Sequence, residues 1–260
     1  MNDSSILVSV KNKVQIVQLN RPKKKNAFSI SMYTDLTNIL NEAAIDDNII
    51  VTVLTGSGDY YSSGNDITSF LQMPLAPSDD SPFRQAKYRI QSFVEAFINF
   101  PKILIAILNG PAIGIAATTL ALCDVVYASE TAFFQTPFIK LGLSPEGCST
   151  YTFPKMFGTS KASEILLFGR KISSEEALKY GLISEIYSSD IMLENIWNKI
   201  YSLPSLPQES LMNAKRLLKN FDKDYLLLAN IKECNELEER WKSEECMNAV
   251  MKFASGSSKL

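Results

Sequence analysis

Two hydrophobic periods run along this chain, and the places where one gives way to the other mark its elements. Val14-Gln15-Ile16-Val17-Gln18-Leu19 is strand-like, and Asn20-Arg21-Pro22 ends it with a turn. A helical pattern follows from Ser29 to Ile45, with Met32, Leu36, Ile39, Leu40 and Ala43 at helical spacing. Ile49–Leu54 and Ile103–Leu108 are nearly continuous apolar runs, which predicts strands covered on both faces. Each run enters a glycine-containing loop, Ser62–Ile67 in the first case and Asn109–Gly114 in the second. Helical stretches over Ile67–Leu71, Phe83–Phe100 and Ala116–Leu122, with a strand over Cys123–Ala128, complete repeated strand, loop and helix units and define an α/β chain. Between the loops, Met73–Pro82 carries three prolines and two aspartates, the composition of a flexible surface flap.

After Ser144 the pattern becomes predominantly helical: Lys161–Gly169, Ser173–Tyr180, Leu193–Tyr201, Gln208–Phe221 and a long final stretch from Tyr225 to Phe253. Gly169 and Gly181 act as stops. No hinge-like linker interrupts the sequence, so a single domain over 1–260 is expected, with 1–200 as the α/β core and 201–260 as C-terminal helices.

With 46% hydrophobic positions in 260 residues, the chain can enclose a substantial core. Its 26 basic and 28 acidic residues leave a net charge of −2, which gives no electrostatic footprint for nucleic acid. The absence of histidine changes the picture most. It removes Ser-His-Asp and Cys-His triads and histidine metal sites together, so acid/base chemistry falls to carboxylates, lysine or tyrosine. Cys123, Cys148, Cys234 and Cys246 lack the close pairs of zinc sites or disulfide scaffolds and read as reduced thiols; no metal site is expected. No apolar run reaches membrane-spanning length and no leader pattern opens the chain, so a soluble protein is expected. Ser258-Lys259-Leu260 is the tripeptide read by the peroxisomal import receptor, which predicts residence in the peroxisomal matrix and that receptor as a partner.

The candidate chemistry sits in the loops. A strand that ends in a glycine loop and feeds a helix presents backbone N–H groups with no intrahelical acceptor, and such amides can hold an oxyanion. Glu146, in Leu143-Ser144-Pro145-Glu146-Gly147-Cys148, is the carboxylate that follows both loops. Ser144 as N-cap, Pro145 at the first helical position and Glu146 in the first turn would also make an ordinary helix start. A helix N-terminus lowers a carboxylate pKa and an apolar pocket raises it, so both outcomes are open.

The stretches Asn20–Ala27, Leu54–Asp66 and Ser144–Cys148, in this order, resemble the crotonase (enoyl-CoA hydratase/isomerase) superfamily, and within it the peroxisomal 3,2-trans-enoyl-CoA isomerases. The resemblance covers nearly the whole chain. It implies the crotonase (ClpP-like) fold, a spiral of repeated β-β-α units whose C-terminal helices cover the active site and build a homotrimer or a dimer of trimers. It implies Glu146 as the catalytic carboxylate and the backbone N–H groups of Asn65 and Ile115 as an oxyanion hole. Ser63, Gly64, Asn65, Asp66 and Ile67 become contacts to a CoA thioester, with Lys23 near its phosphates and Lys252 and Phe253 as weaker contacts. CoA enters as part of the substrate, and no tightly bound cofactor is implied.

Four departures from the family pattern matter. Asn65 and Ile115 stand where alanine and glycine are usual, which leaves the backbone donors in place but puts a larger side chain beside the acyl channel. Thr118 and Phe138 stand where hydratases carry their two glutamates, and neither can shuttle the protons that addition of water requires. The reaction implied is therefore conversion of 3-enoyl-CoA to trans-2-enoyl-CoA in β-oxidation. Another reaction of the superfamily, such as dienoyl-CoA isomerisation or thioester hydrolysis, and noncatalytic acyl-CoA binding are the alternatives. Phe134, Phe138, Tyr151 and Phe153 read either as pocket lining or as plain core, and Asp66 as a helix cap rather than a second acid.

Overall fold

The computed structural model describes residues 4–67 and 82–255. Strands β1 (Ile6–Lys11), β2 (Val14–Leu19), β3 (Val51–Gly56), β4 (Ile103–Leu108), β5 (Ala112–Ile113), β6 (Val125–Ser129), β7 (Phe133–Gln135), β8 (Ile172–Ser173) and β9 (Glu185–Tyr187) form two sheets. The larger has the order β1-β2-β3-β4-β6-β9, and the smaller is β5-β7-β8. From β2 to β9 the large sheet is parallel; β1 pairs antiparallel with β2 at its edge.

The unbroken apolar runs have the predicted cause. Leu104, Ala106 and Leu108 of β4 face one core with Leu54 of β3, and Ile103, Ile105 and Ile107 face another with Val51 and Val53. Side chains that alternate between two covered faces need to be apolar at every position. The first core is closed by helix α1 (Ile30–Ile45) and helix α2 (Pro82–Asn99). The second is closed by Ile196 and Ile200 of helix α7 (Asp190–Ser202). Between them lie α3 (Ile115–Thr118), α4 (Ser149–Phe157), α5 (Thr159–Phe168) and α6 (Ser174–Lys179), and beyond them α8 (Gln208–Asn220), α9 (Lys223–Trp241) and α10 (Glu244–Ala254).

Strands β2 and β4 occupy their predicted limits, and α1 is capped by Ser29, whose side chain accepts from the Met32 amide. Four expectations need correction. The Ile6–Lys11 strand, half-exposed on a hairpin edge, carries no clear burial pattern and was not expected. Strands β8 and β9 lie inside the region after Ser144 that reads as helical. The long helix over Tyr225–Phe253 is two helices, because Ser243 caps α10 by accepting from the Cys246 amide at 3.2 Å. The helix over Ala116–Leu122 is one α-turn followed by a 3-10 turn, Thr119–Leu122. Of Ile67–Leu71 only Ile67, in helical conformation, is described; the rest of that stretch, Met73–Ser81 of the flap and Ser258–Leu260 lie outside the described residues. Among the described residues no helix is long and apolar enough to cross a membrane.

Two asparagines, one buried and one half-buried, join the elements that leave the sheet. Asn26 is 0% exposed, accepts from the Arg21 amide at 2.8 Å and donates to the Ser57 and Tyr60 carbonyls at 2.8 and 2.7 Å. Its φ of +53° lies in the left-handed region, which asparagine tolerates better than most residues. Asn109 accepts from the Gly56 amide at 3.1 Å and donates to the Gly58 carbonyl at 2.6 Å. Asn26→Ala strands the Ser57 carbonyl and the Arg21 amide and leaves the Tyr60 carbonyl with only its 3.1 Å bond from Asn109 Nδ2, so we expect a loss of about 2–4 kcal/mol in urea unfolding; an unchanged midpoint would remove Asn26 as a strut of these loops.

Candidate active site

Strands β3 and β4 are adjacent, parallel and in step, with Thr55 opposite Ile107, so the loops that follow them leave the same edge of the sheet side by side. They are bonded to each other. The Tyr61 amide donates to the Pro111 carbonyl at 3.1 Å, and the Ile113 amide to the Ser62 carbonyl at 3.0 Å. The loops press together at Gly64, where φ is +79° and an added Cβ would lie 2.6 Å from the Ile113 carbonyl oxygen. Any side chain there would push the two loops apart.

The first loop delivers Asn65 and the second delivers Ile115. Flanking bonds fix both: the Phe28 amide donates to the Gly64 carbonyl at 2.8 Å, the Asp66 amide to the Phe28 carbonyl at 3.0 Å, and the Gly114 amide to the Gln135 carbonyl at 2.8 Å. The Asn65 and Ile115 amides themselves donate to no acceptor among the described residues. Ile115 opens α3, where a first-turn amide has no partner within the helix.

Glu146 is not in a helix. The helix starts at Ser149, because Gly147 at φ +71° and Cys148 at φ +62° turn the chain before it can coil. The Ser144 hydroxyl, read above as a cap, has no hydrogen-bond partner among the described residues. Gly147 packs against the Thr118 side chain so closely that an added Cβ would lie 2.2 Å from Thr118 Oγ1. The turn therefore packs against α3, the helix that Ile115 opens.

The carboxylate of Glu146 is 1% exposed. Asn65 Nδ2 donates to its Oε1 at 3.1 Å, while Oε2 has no partner among the described residues. Behind Asn65, the Tyr33 hydroxyl of α1 donates to Asn65 Oδ1. That bond fixes the orientation of the amide so that its NH2 faces the acid. Tyr33 is held in turn by edge-to-face packing on Phe93 and Phe28, with centroids 5.1 and 5.6 Å away. Burial pushes the Glu146 pKa up to about 8, with a further rise from the Glu233 carboxylate and an opposing pull from the Asn65 hydrogen bond. Between the two environments left open by the sequence, the apolar one prevails, since the residue stands outside the helix whose dipole would have stabilised its charge.

The two positions where hydratases carry glutamate flank the same place. Thr118 is buried with its hydroxyl donating to the Ile115 carbonyl at 3.2 Å, and Phe138 lies 3.8 Å from where a Gly114 Cβ would be. Neither brings a titrating group.

A cleft opens next to Asn65, lined mainly by apolar side chains including Phe28, Tyr33, Ile90, Leu143 and Trp241. Asp66 and Ile67 also line it; Ser63 is half-buried on the same loop, and Asp66 pairs with Arg21 at 3.1 Å. The helix that Asp66 was read to cap lies, beyond Ile67, outside the described residues. Lys23 is exposed on a 3-10 turn, Pro22–Lys24, and in α10 Lys252 is exposed and Phe253 half-buried. Phe134, Phe138 and Phe153 are buried in the main core, the second of their two readings, and half-buried Tyr151 stacks on Tyr225 at 5.8 Å; the aromatic lining of the cleft comes from Phe28, Tyr33 and Trp241. Tyr33, the Asn65 side chain and Glu233 are the site residues that sequence reading missed. Glu233 alone left a signal: it falls on the stripe Leu226, Asn230, Cys234, Leu237 and Trp241, where a charge is out of place.

Comparison with known proteins bears on this arrangement. Residues 9–252 match the family described as enoyl-CoA hydratase/isomerase. Human enoyl-CoA delta isomerase 2 is 44% identical over 98% of this chain, which spans 64% of that protein's length. Mouse enoyl-CoA delta isomerase 3, peroxisomal, is 41% identical over 95% of this chain and 77% of its own. The crystal structure of an enoyl-CoA hydratase/isomerase from Pseudoalteromonas atlantica T6c superposes with a TM-score of 0.88 at 30% identity, covering 99% of both chains. With that match in sequence and in backbone, the chain belongs to the enoyl-CoA hydratase/isomerase family and has the crotonase fold.

Proposed function

We propose that this chain converts 3-enoyl-CoA, cis or trans, to trans-2-enoyl-CoA, the double-bond shift that admits unsaturated fatty acids to β-oxidation. The observation that carries the reading is a buried glutamate with one oxygen unpartnered among the described residues, bonded through its other oxygen to Asn65, where the Asn65 and Ile115 amides have no acceptor among the described residues and neither Thr118 nor Phe138 supplies a second acid. The names of the human and mouse relatives, enoyl-CoA delta isomerases, support it.

In this reading Glu146 Oε2 takes the proton from carbon 2 of the thioester. The electron pair of that C–H bond spreads into a dienolate whose charge rests largely on the thioester oxygen, and the Asn65 and Ile115 N–H groups stabilise that oxygen. The same carboxylic acid then returns its proton to carbon 4. Substrate and product are isomers, so no co-reactant is needed. The raised pKa of Glu146 suits both steps: the anion is a stronger base than an exposed glutamate, and the acid gives its proton back to carbon. The apolar cleft beside Asn65 suits the acyl chain. Ser63, Gly64, Asp66 and Ile67 would contact the CoA segment, and exposed Lys23 would face its phosphates.

The C-terminal helices leave Leu217 and Leu218 of α8 62 and 79% exposed, Phe221 just beyond it 85%, and Tyr225 of α9 61%. Apolar groups so exposed are covered in most soluble proteins. We assign this face to contacts between copies of the chain, as a homotrimer or a dimer of trimers. Residence in the peroxisomal matrix is supported by the mouse relative's name and by Ser258-Lys259-Leu260, which would engage the import receptor.

Three outcomes are expected. With purified 3-enoyl-CoA, Glu146→Gln lowers kcat by about 10³-fold with KM nearly unchanged, and the kcat/KM of the parent falls about tenfold per pH unit below about 8 as the base becomes protonated; full turnover by the variant, or binding without turnover by the parent, rejects the reading. Sedimentation gives a mass of three or six chains, reduced by Phe221→Asp, whereas a monomeric parent rejects the assembly. A fluorescent protein fused ahead of this chain enters peroxisomes, and removal of the last three residues leaves it in the cytosol; import without them assigns the address elsewhere.

A further inference from the structure

A second buried carboxylate stands behind the first. Glu233 of α9 is 4% exposed and accepts three hydrogen bonds, from the Cys148 amide at 2.7 Å, the Thr150 amide at 2.8 Å and the Thr150 hydroxyl at 2.6 Å. These donors belong to the start of α4 and the residue before it. Cys148 provides no side-chain cap of its own, so a residue 85 positions away in the sequence does the capping. Glu146 lies two residues from an amide that Glu233 holds. A neutral side chain such as glutamine could accept from these amides without the cost of burying a charge, and the reaction proposed above makes no use of a second acid.

We propose that Glu233 is a positioning residue for Glu146, whose role as base is taken from the preceding section: its grip on the Cys148 and Thr150 amides fixes the turn that aims the base, and its negative charge strengthens that base. The electrostatics agree. After burial, the Glu233 charge is the next largest cause of the upward shift at Glu146. Glu233 is itself raised by burial, to about 7, and pulled back by its bonds to Thr150 and Cys148, so it ionises before Glu146 does. Other titratable groups face the pair from α1 (Tyr33), the turn (Cys148) and α9 (Cys234), and burial raises all three, which keeps them neutral. Lys87 and Glu95 of α2 act on Cys234 from further out. In the neutral range, then, the pH response of this site belongs to the two carboxylates.

Steady-state pH profiles of the parent, Glu233→Gln, Thr150→Val and Glu146→Gln test the assignment. Glu233→Gln keeps the shape and one acceptor oxygen but removes the charge. Its acidic limb of kcat/KM moves to lower pH, so the fraction of plateau activity kept at pH 6 rises by about tenfold for each unit moved, while the plateau kcat falls at least threefold, about the loss expected of a weaker and less firmly aimed base. Thr150→Val removes one bond to the anion and moves the limb the same way by less. A purely structural cap would lower the melting temperature and leave the limb in place; that result, in folded Glu233→Gln or, should it fail to fold, in Thr150→Val, overturns the proposal. Full activity in Glu146→Gln would instead overturn the base itself, whereas inactive Glu146→Gln beside an unmoved limb in the other variants removes only Glu233.

Discussion

A carboxylate buried to 1% exposure, with one hydrogen bond among the described residues, is costly to keep in a fold, and the elements around it are arranged to tolerate it. Its partner Asn65 is oriented by Tyr33 from α1, and Asn65 stands on a loop bonded both to Phe28 and to the neighbouring loop. The turn that carries the acid is held from the opposite side by Glu233 on α9. Parts of the chain from residue 28 to residue 233 thus meet at one side chain, and the parallel pairing of β3 with β4 is what brings their loops together. The result is an acid whose proton affinity lies near neutrality.

Much of the frame was legible before any coordinates. Strands buried on both faces announce themselves as unbroken apolar runs, and β4 needed no correction because all six of its residues are buried. The α1 boundary was legible for a different reason: Ser29 is a local cap, read from a few residues. Glu146 could be singled out because the chain lacks histidine and because the loops that precede it have a recognisable order. The short strands β5, β7 and β8 were not legible, since two or three residues carry no period.

What failed was the step from local signal to local structure. Ser144-Pro145-Glu146 carries the chemistry of a helix start, yet Gly147 and Cys148 take left-handed conformations and the helix begins later. A distant side chain, Glu233, supplies the cap, and no window of a few residues contains it. Tyr33 was hidden for a similar reason. It sits among the apolar positions of α1 as one more core residue, and only the tertiary fold shows that its hydroxyl meets Asn65.

The two amides assigned to charge stabilisation belong to the main chain, and this separates conserved chemistry from variable side chains. Any amino acid other than proline brings the same N–H group, so positions 65 and 115 are free to drift so long as the loops keep their path. Asn65 shows what that latitude permits: its side chain bonds Glu146 while its backbone amide has no acceptor among the described residues. Lineages that share this scaffold can therefore acquire new control over the acid by single replacements at a position whose primary duty no replacement, save proline, would disturb.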